Sequence, residues 1–160
     1  MGTTGTNPIH AENFVDMGKY GTKTVCFSTA VTGTDTDAAL TPTTGTRFRL
    51  IGYQIHAAVT TVLAGTGTAL FLCDMASGDT SFALSECIWP IAGFAANAAA
   101  GTVVRNDTTP VLIHKFNGVQ KSFGFRSAAI DNQIKISANA TLSTGVIQVS
   151  GVLFYSEEAA

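Results

Sequence analysis

Residues 47–59 read Arg-Phe-Arg-Leu-Ile-Gly-Tyr-Gln-Ile-His-Ala-Ala-Val. Phe48 and Leu50 alternate with Arg47 and Arg49, and the apolar phase then moves to Ile51, Tyr53, Ile55, Ala57 and Val59. A period of two places one set of side chains on one face of a β-strand, whereas a helix would need a period of 3.6. A one-residue slip would turn every apolar side chain to the wrong face, so a phase change inside one strand requires an extra residue. The segment therefore predicts a strand with a β-bulge centred on Gly52, and with it an all-β fold.

Outward from this strand the same period recurs. Residues 22–31 place Val25 and Phe27 on one face, and 132–140 alternate Ile134, Ile136, Ala138 and Ala140 with polar residues. In 145–156, Ile147, Val149, Leu153 and Tyr155 face inward while Phe154 points the other way. Residues 68–75, "TALFLCDM", are apolar on both faces, which predicts a central strand or one covered by another subunit. Residues 81–89 are a further strand candidate. Strands 110–118 and 120–127 are joined by Asn117-Gly118, a pair that tolerates the positive φ of a type I′ hairpin turn. The Gly, Asp and Pro content of 32–46 predicts a loop. About eight strands and no long helical pattern predict a single jelly-roll-like antiparallel β-sandwich over residues 22–160. A Gly/Thr/Asn-rich extended arm, 1–21, precedes it. The uncharged stretch 86–101, "ECIWPIAGFAANAAAG", is expected to be a long connection between the two halves, with a helical candidate of a few turns in its Ala-rich part. Trp89 and Phe94 are its anchors, and Trp89 is expected to be buried at the sandwich end or against a neighbour.

Charged residues are 12% of the chain, about half the usual ~25%. Thr (23) and Gly (16) are abundant instead. Charge keeps protein surfaces apart, so this balance points to a surface covered by copies of itself or by a partner. The net charge of -2 and the scattered basic residues argue against nucleic acid as a partner. No apolar run approaches ~20 residues, no polybasic anchor is present, and the first residues do not read as a signal peptide, so no membrane partner is expected. Cys26, Cys73 and Cys87 form no C-x-x-C pair and are read as reduced thiols of a protein made in a cytoplasm.

Candidates for chemistry are sparse. His10, His56 and His114 show no metal-ligand spacing, and Asp35 and Asp37 lack the rest of a calcium loop. Asp74 and Asp79 flank the turn "DMASGDT" and are read as capping backbone amides. The expectation is a protein that is not an enzyme, with no catalytic residues, no cofactor and no metal. Surface apolar residues stand out instead: Leu70 and Leu72 in the two-faced strand, Trp89, Ile91 and Phe94 in the uncharged stretch, and Phe154 opposite the core. They are the candidate interface, which a ring of subunits would bury. Covering ~400 Å² of apolar surface is worth about 10 kcal/mol before the costs of association.

The pair "FRLIGYQIHAAVTT…GTALFLCD" and the last strand "GVIQVSGVLFYSE", behind a Gly/Thr-rich arm, resemble small jelly-roll virion proteins of tailed bacteriophages, including head decoration (cement) proteins. The resemblance spans residues 46–156. It implies a homotrimeric sandwich seated on the major capsid protein lattice of a virion, without catalysis, that stabilises the assembled shell by binding it. Two rivals remain. One is a sugar- or receptor-binding module on a tail or fibre, with Trp89 or Tyr53 as platform and Asp74 as hydrogen-bonder. The other is a cupin-type enzyme using His56 and His114.

Overall fold

The computed structural model describes residues 23–32, 37–65, 67–81, 83–108, 124–140, 142 and 144–159. Among these residues the chain forms nine strands: β1 (Lys23–Val31), β2 (Asp37–Leu40), β3 (Thr46–Ala64), β4 (Thr68–Met75), β5 (Cys87–Phe94), β6 (Val103–Thr108), β7 (Phe125–Arg126), β8 (Gln133–Ala138) and β9 (Thr144–Ala159). A single 3₁₀ turn, Leu84–Glu86, precedes β5.

The pairings β1·β9, β2·β8, β3·β6 and β4·β5 are all antiparallel. They are the rungs of one long hairpin, with β1–β4 leading out, β5–β9 returning, and the tip between Met75 and Cys87. Rolling that hairpin on itself adds the pairings β3·β9 and β4·β8. The result is a jelly roll with one sheet ordered β1-β9-β3-β6, β7 pairing β3, and a second ordered β2-β8-β4-β5. Its single core draws Val31, Leu50, Tyr53, Ile55, Ile147, Val149 and Leu153 from the first sheet and Leu40, Leu70, Leu72, Ile91, Ile134 and Ile136 from the second.

The phase change in β3 has the expected cause. Leu50 pairs with Tyr155 and Gly52 with Phe154, so Ile51 is the extra residue of a bulge. The bulge keeps Phe48 and Leu50 on the same buried side as Tyr53, Ile55, Ala57 and Val59. Ile51 is buried too, but outside the core cluster. Strands β3 and β9 lie so close that a Cβ on Gly151 would stand 2.2 Å from the Gln54 carbonyl oxygen.

One end of the sandwich is closed by the segment between β7 and β8. Asp74 on β4 accepts hydrogen bonds from Ser127 Oγ (2.8 Å), the Ala128 amide (2.7 Å) and Asn132 Nδ2 (3.0 Å). The Ser127 and Asp131 amides donate to the Phe48 and Thr46 carbonyls of β3. The segment thus ties the two sheets together. Asp79 accepts from the Ala76 amide (3.1 Å), the turn role expected of it; Asp74 instead caps a distant amide.

Several expectations are corrected. Residues 32–46 hold β2, and 103–108 form the edge strand β6, which was not anticipated. Half of residues 86–101 is β5 rather than a connection or a helix, and 81–89 holds the 3₁₀ turn Leu84–Glu86 followed by only the first residues of β5. Strand β5 is disguised by two bulges. Ala92 and Pro90 face adjacent residues Leu70 and Phe71, and Trp89 and Cys87 face Leu72 and Cys73, leaving Ile91 and Ile88 as extra residues. Ile88, Ile91 and Phe94 therefore meet the core at intervals of three, a spacing that does not read as a strand. Strand β4 is central, as one of its two readings expected, and its outward Cys73 and Met75 are covered by the chain itself. The arm 1–21 and most of the Asn117-Gly118 hairpin lie outside the described residues.

Candidate interaction surface

The residues that alternate with the core on the first sheet make up its outer face. Register places Ser28, Ser150, His56 and Arg105 in one row across β1, β9, β3 and β6, and Ala30, Gln148, Ala58 and Val103 in the next. On the other side lie Cys26, Val152, Gln54 and Asp107, then Thr24, Phe154 and Gly52. Gln148 Nε2 donates to Ser28 Oγ across the strands (2.9 Å). The charged residues of these rows are Arg105 and Asp107, both on the edge strand β6. A solvated antiparallel face usually carries several. Small uncharged side chains let another surface approach closely without stripping water from ions, and charge depletion is the compositional mark of an interface core.

Other charges of this sheet gather at one end, paired with each other. Glu158 binds Arg49 Nε (2.6 Å) and Arg126 Nε (2.5 Å), and Glu157 binds Lys23 Nζ (2.5 Å) and the Thr43 hydroxyl and amide. Burial alone would push both carboxyls up, but the hydrogen bonds from Arg126 and Arg49 hold Glu158 below the usual carboxylate range, and those from Lys23 and Thr43 do the same for Glu157. The hydrogen bond to Glu157 in turn raises Lys23.

The second sheet presents a different outer face. Lys135 is 3% exposed, its ammonium donating to the Ser77 and Asp79 carbonyls of the hairpin tip (3.0 and 2.6 Å). Ser137 beside it is also buried.

The apolar residues picked out from the sequence do not converge on one surface. Leu70, Leu72, Ile91 and Phe94 lie in the core between the sheets. Their burial needs no neighbour, and they leave the candidate interface. Phe154 is half-buried on the outer face of the first sheet. Trp89 is 39% exposed on β5, the edge strand of the second sheet, so the expectation of a Trp89 buried in the sandwich end is corrected. The charge-poor outer face was missed, although its signal was present. From Thr24 to Ala30 in β1 and from Gln148 to Phe154 in β9, the outward half of the alternation is Thr, Cys, Ser, Ala and Gln, Ser, Val, Phe, with no charge.

Tyr53 is fully buried and Asp74 is committed to the loop it caps, so neither joins Trp89 in a sugar platform. His56 points out of the first sheet rather than between the sheets. His10, His114, Asp35 and the side chain of Asp37 lie outside the described residues. Among the described residues, no three His, Cys, Asp or Glu side chains are grouped to hold a metal ion. Comparison with protein-family models, with curated proteins and with solved structures finds no match to this chain.

Proposed function

We propose that this chain is a non-enzymatic structural protein of a virion, a capsid decoration or cement protein. In this reading it assembles as a homo-oligomer, a homotrimer in the simplest case, on the shell of the major capsid protein. The observation that carries the reading is the charge-poor outer face of the first sheet, set on a jelly roll whose core is complete without a partner. A face of Ser, Ala, Gln and Val loses little solvation when covered. A ligand that binds only the assembled shell stabilises it by mass action, about 2.7 kcal/mol per site at a free concentration of 100 Kd.

The test places a charge on that face at exposed positions. Ser28→Lys and Ala30→Lys are expected to keep the melting temperature of the dispersed chain. They should lower its sedimentation mass and its co-sedimentation with empty phage head shells at least about tenfold. A wild-type chain that stays monomeric and ignores the shells overturns the reading. The exposure of Trp89 favours a second reading, a carbohydrate- or receptor-binding module of a tail or fibre. Glycan binding abolished by Trp89→Ala would support it, and an empty glycan array would remove it.

A further inference from the structure

Cys73 and Cys87 stand directly opposite each other in the β4–β5 pair. Opposed residues in an antiparallel pair have Cα atoms about 4.5–5.5 Å apart, with side chains on the same side of the pleat. That separation lies inside the window a disulfide spans, about 4.4–6.8 Å. The pair sits at the base of the hairpin tip, two residues before β4 ends and at the first residue of β5. Strand β5 is an edge strand held through β4, and its ladder is interrupted by two bulges. Of the three thiols, Cys73 is buried, Cys87 half-buried and Cys26 exposed on the far sheet. Burial pushes the Cys73 thiol up to about 12, the neighbouring Cys87 adding to the effect, and burial also raises Cys87.

We propose that Cys73 and Cys87 form a disulfide site, in which oxidation by a low-molecular-weight disulfide joins β4 to β5 and closes the hairpin tip. The Cys87 thiolate, the more accessible, attacks one sulfur of the external disulfide, and one thiolate leaves. Cys73 then loses its proton and attacks Cys87 Sγ, breaking the mixed disulfide and expelling the second thiolate. Two cysteine thiols are oxidised, one external disulfide is reduced, and the two protons end on the two released thiols. Because the thiolate is the attacking species, the reaction is slow at neutral pH and accelerates by about tenfold per pH unit below the thiol pKa. The reduced state expected from the sequence is the starting state. The inference stands on the register alone, independently of the proposed function.

The experiment incubates the full chain with oxidised glutathione at mildly alkaline pH, alkylates the remaining thiols and maps the peptides. The expected product is a Cys73–Cys87 linked peptide, with Cys26 recovered as alkylated or glutathionylated. The melting temperature should rise by roughly 6–12 °C for a closed loop of this length, reversed by reductant. Cys87→Ser should give neither the linkage nor the rise. Recovery of Cys73 and Cys87 both alkylated after prolonged oxidation, a stable glutathione adduct on Cys87, or linkages that run through Cys26 would each overturn the proposal.

Discussion

Replacing Asp74 by Ala tests whether one buried carboxylate holds the end of the sandwich. Asp74 is 6% exposed, and its three hydrogen bonds, from Ser127 Oγ, the Ala128 amide and Asn132 Nδ2, are 2.7–3.0 Å long. A hydrogen bond to a charged group contributes about 1.5–3 kcal/mol, but the three do not simply add. Ser127 can keep its bond to the Ala129 carbonyl (2.9 Å), and half-buried Asn132 can turn to water. The part-buried Ala128 amide loses the shortest of the three bonds, and a donor left without a partner costs about 1–3 kcal/mol. With the loss of the charged bonds, Asp74→Ala should destabilise the fold by about 3 kcal/mol, or roughly 6–12 °C in melting temperature. Asp74→Asn keeps one acceptor oxygen and should cost about half as much. Urea unfolding followed by circular dichroism reads both, with the slope m unchanged if the native state stays compact. An Asp74→Ala variant within about 0.5 kcal/mol of wild type, the range of an ordinary surface substitution, would refute the reasoning.

Three further outcomes are expected. Gly151→Ala would set a Cβ 2.2 Å from the Gln54 carbonyl oxygen and force β9 from β3; a loss of more than about 2 kcal/mol in urea is expected, and a neutral variant would mean the two strands have slack there. The folded pKa of Glu158 is held below its unfolded value of about 4.3, so its contribution is complete above that pH and lost as pH falls through the folded value. Stability should therefore drop below about pH 4, and Glu158→Gln should flatten that acid limb; an unchanged limb would show that the Arg49 and Arg126 pairs contribute nothing. Trp89, the chain's one tryptophan, is 39% exposed, so acrylamide should quench the dispersed chain readily, and a shielded tryptophan would contradict the placement of β5.

Particular residues show where sequence reading succeeded. Strands β1, β8 and β9, and the bulge in β3, were legible because one core-facing side imposes a strict period of two, and one extra residue visibly shifts it. Strand β5 was not legible, because two bulges spaced its buried residues Ile88, Ile91 and Phe94 by three. Strand β6 was missed as an edge strand, where side chains such as Arg105 face water and no alternation is enforced. Leu70, Leu72, Ile91 and Phe94 looked like interface residues because an apolar side chain records that it is covered, not by what. The same ambiguity hid the candidate surface. Its Ser, Ala and Gln residues carry no strong signal singly, and they form a face only when β1, β9, β3 and β6 are laid side by side.

The sequence by itself determined the all-β class, the sandwich and the inward half of most strands, because these follow from local periodicity along single segments. The tertiary structure alone decided which strands are neighbours. It set Cys73 against Cys87, carried Asp74 to the loop after β7, and assembled separate uncharged half-strands into one face. Those juxtapositions join residues as far apart in the chain as Ser28 and Ser150. No local period encodes such pairings, which follow from rolling the whole hairpin around a single core.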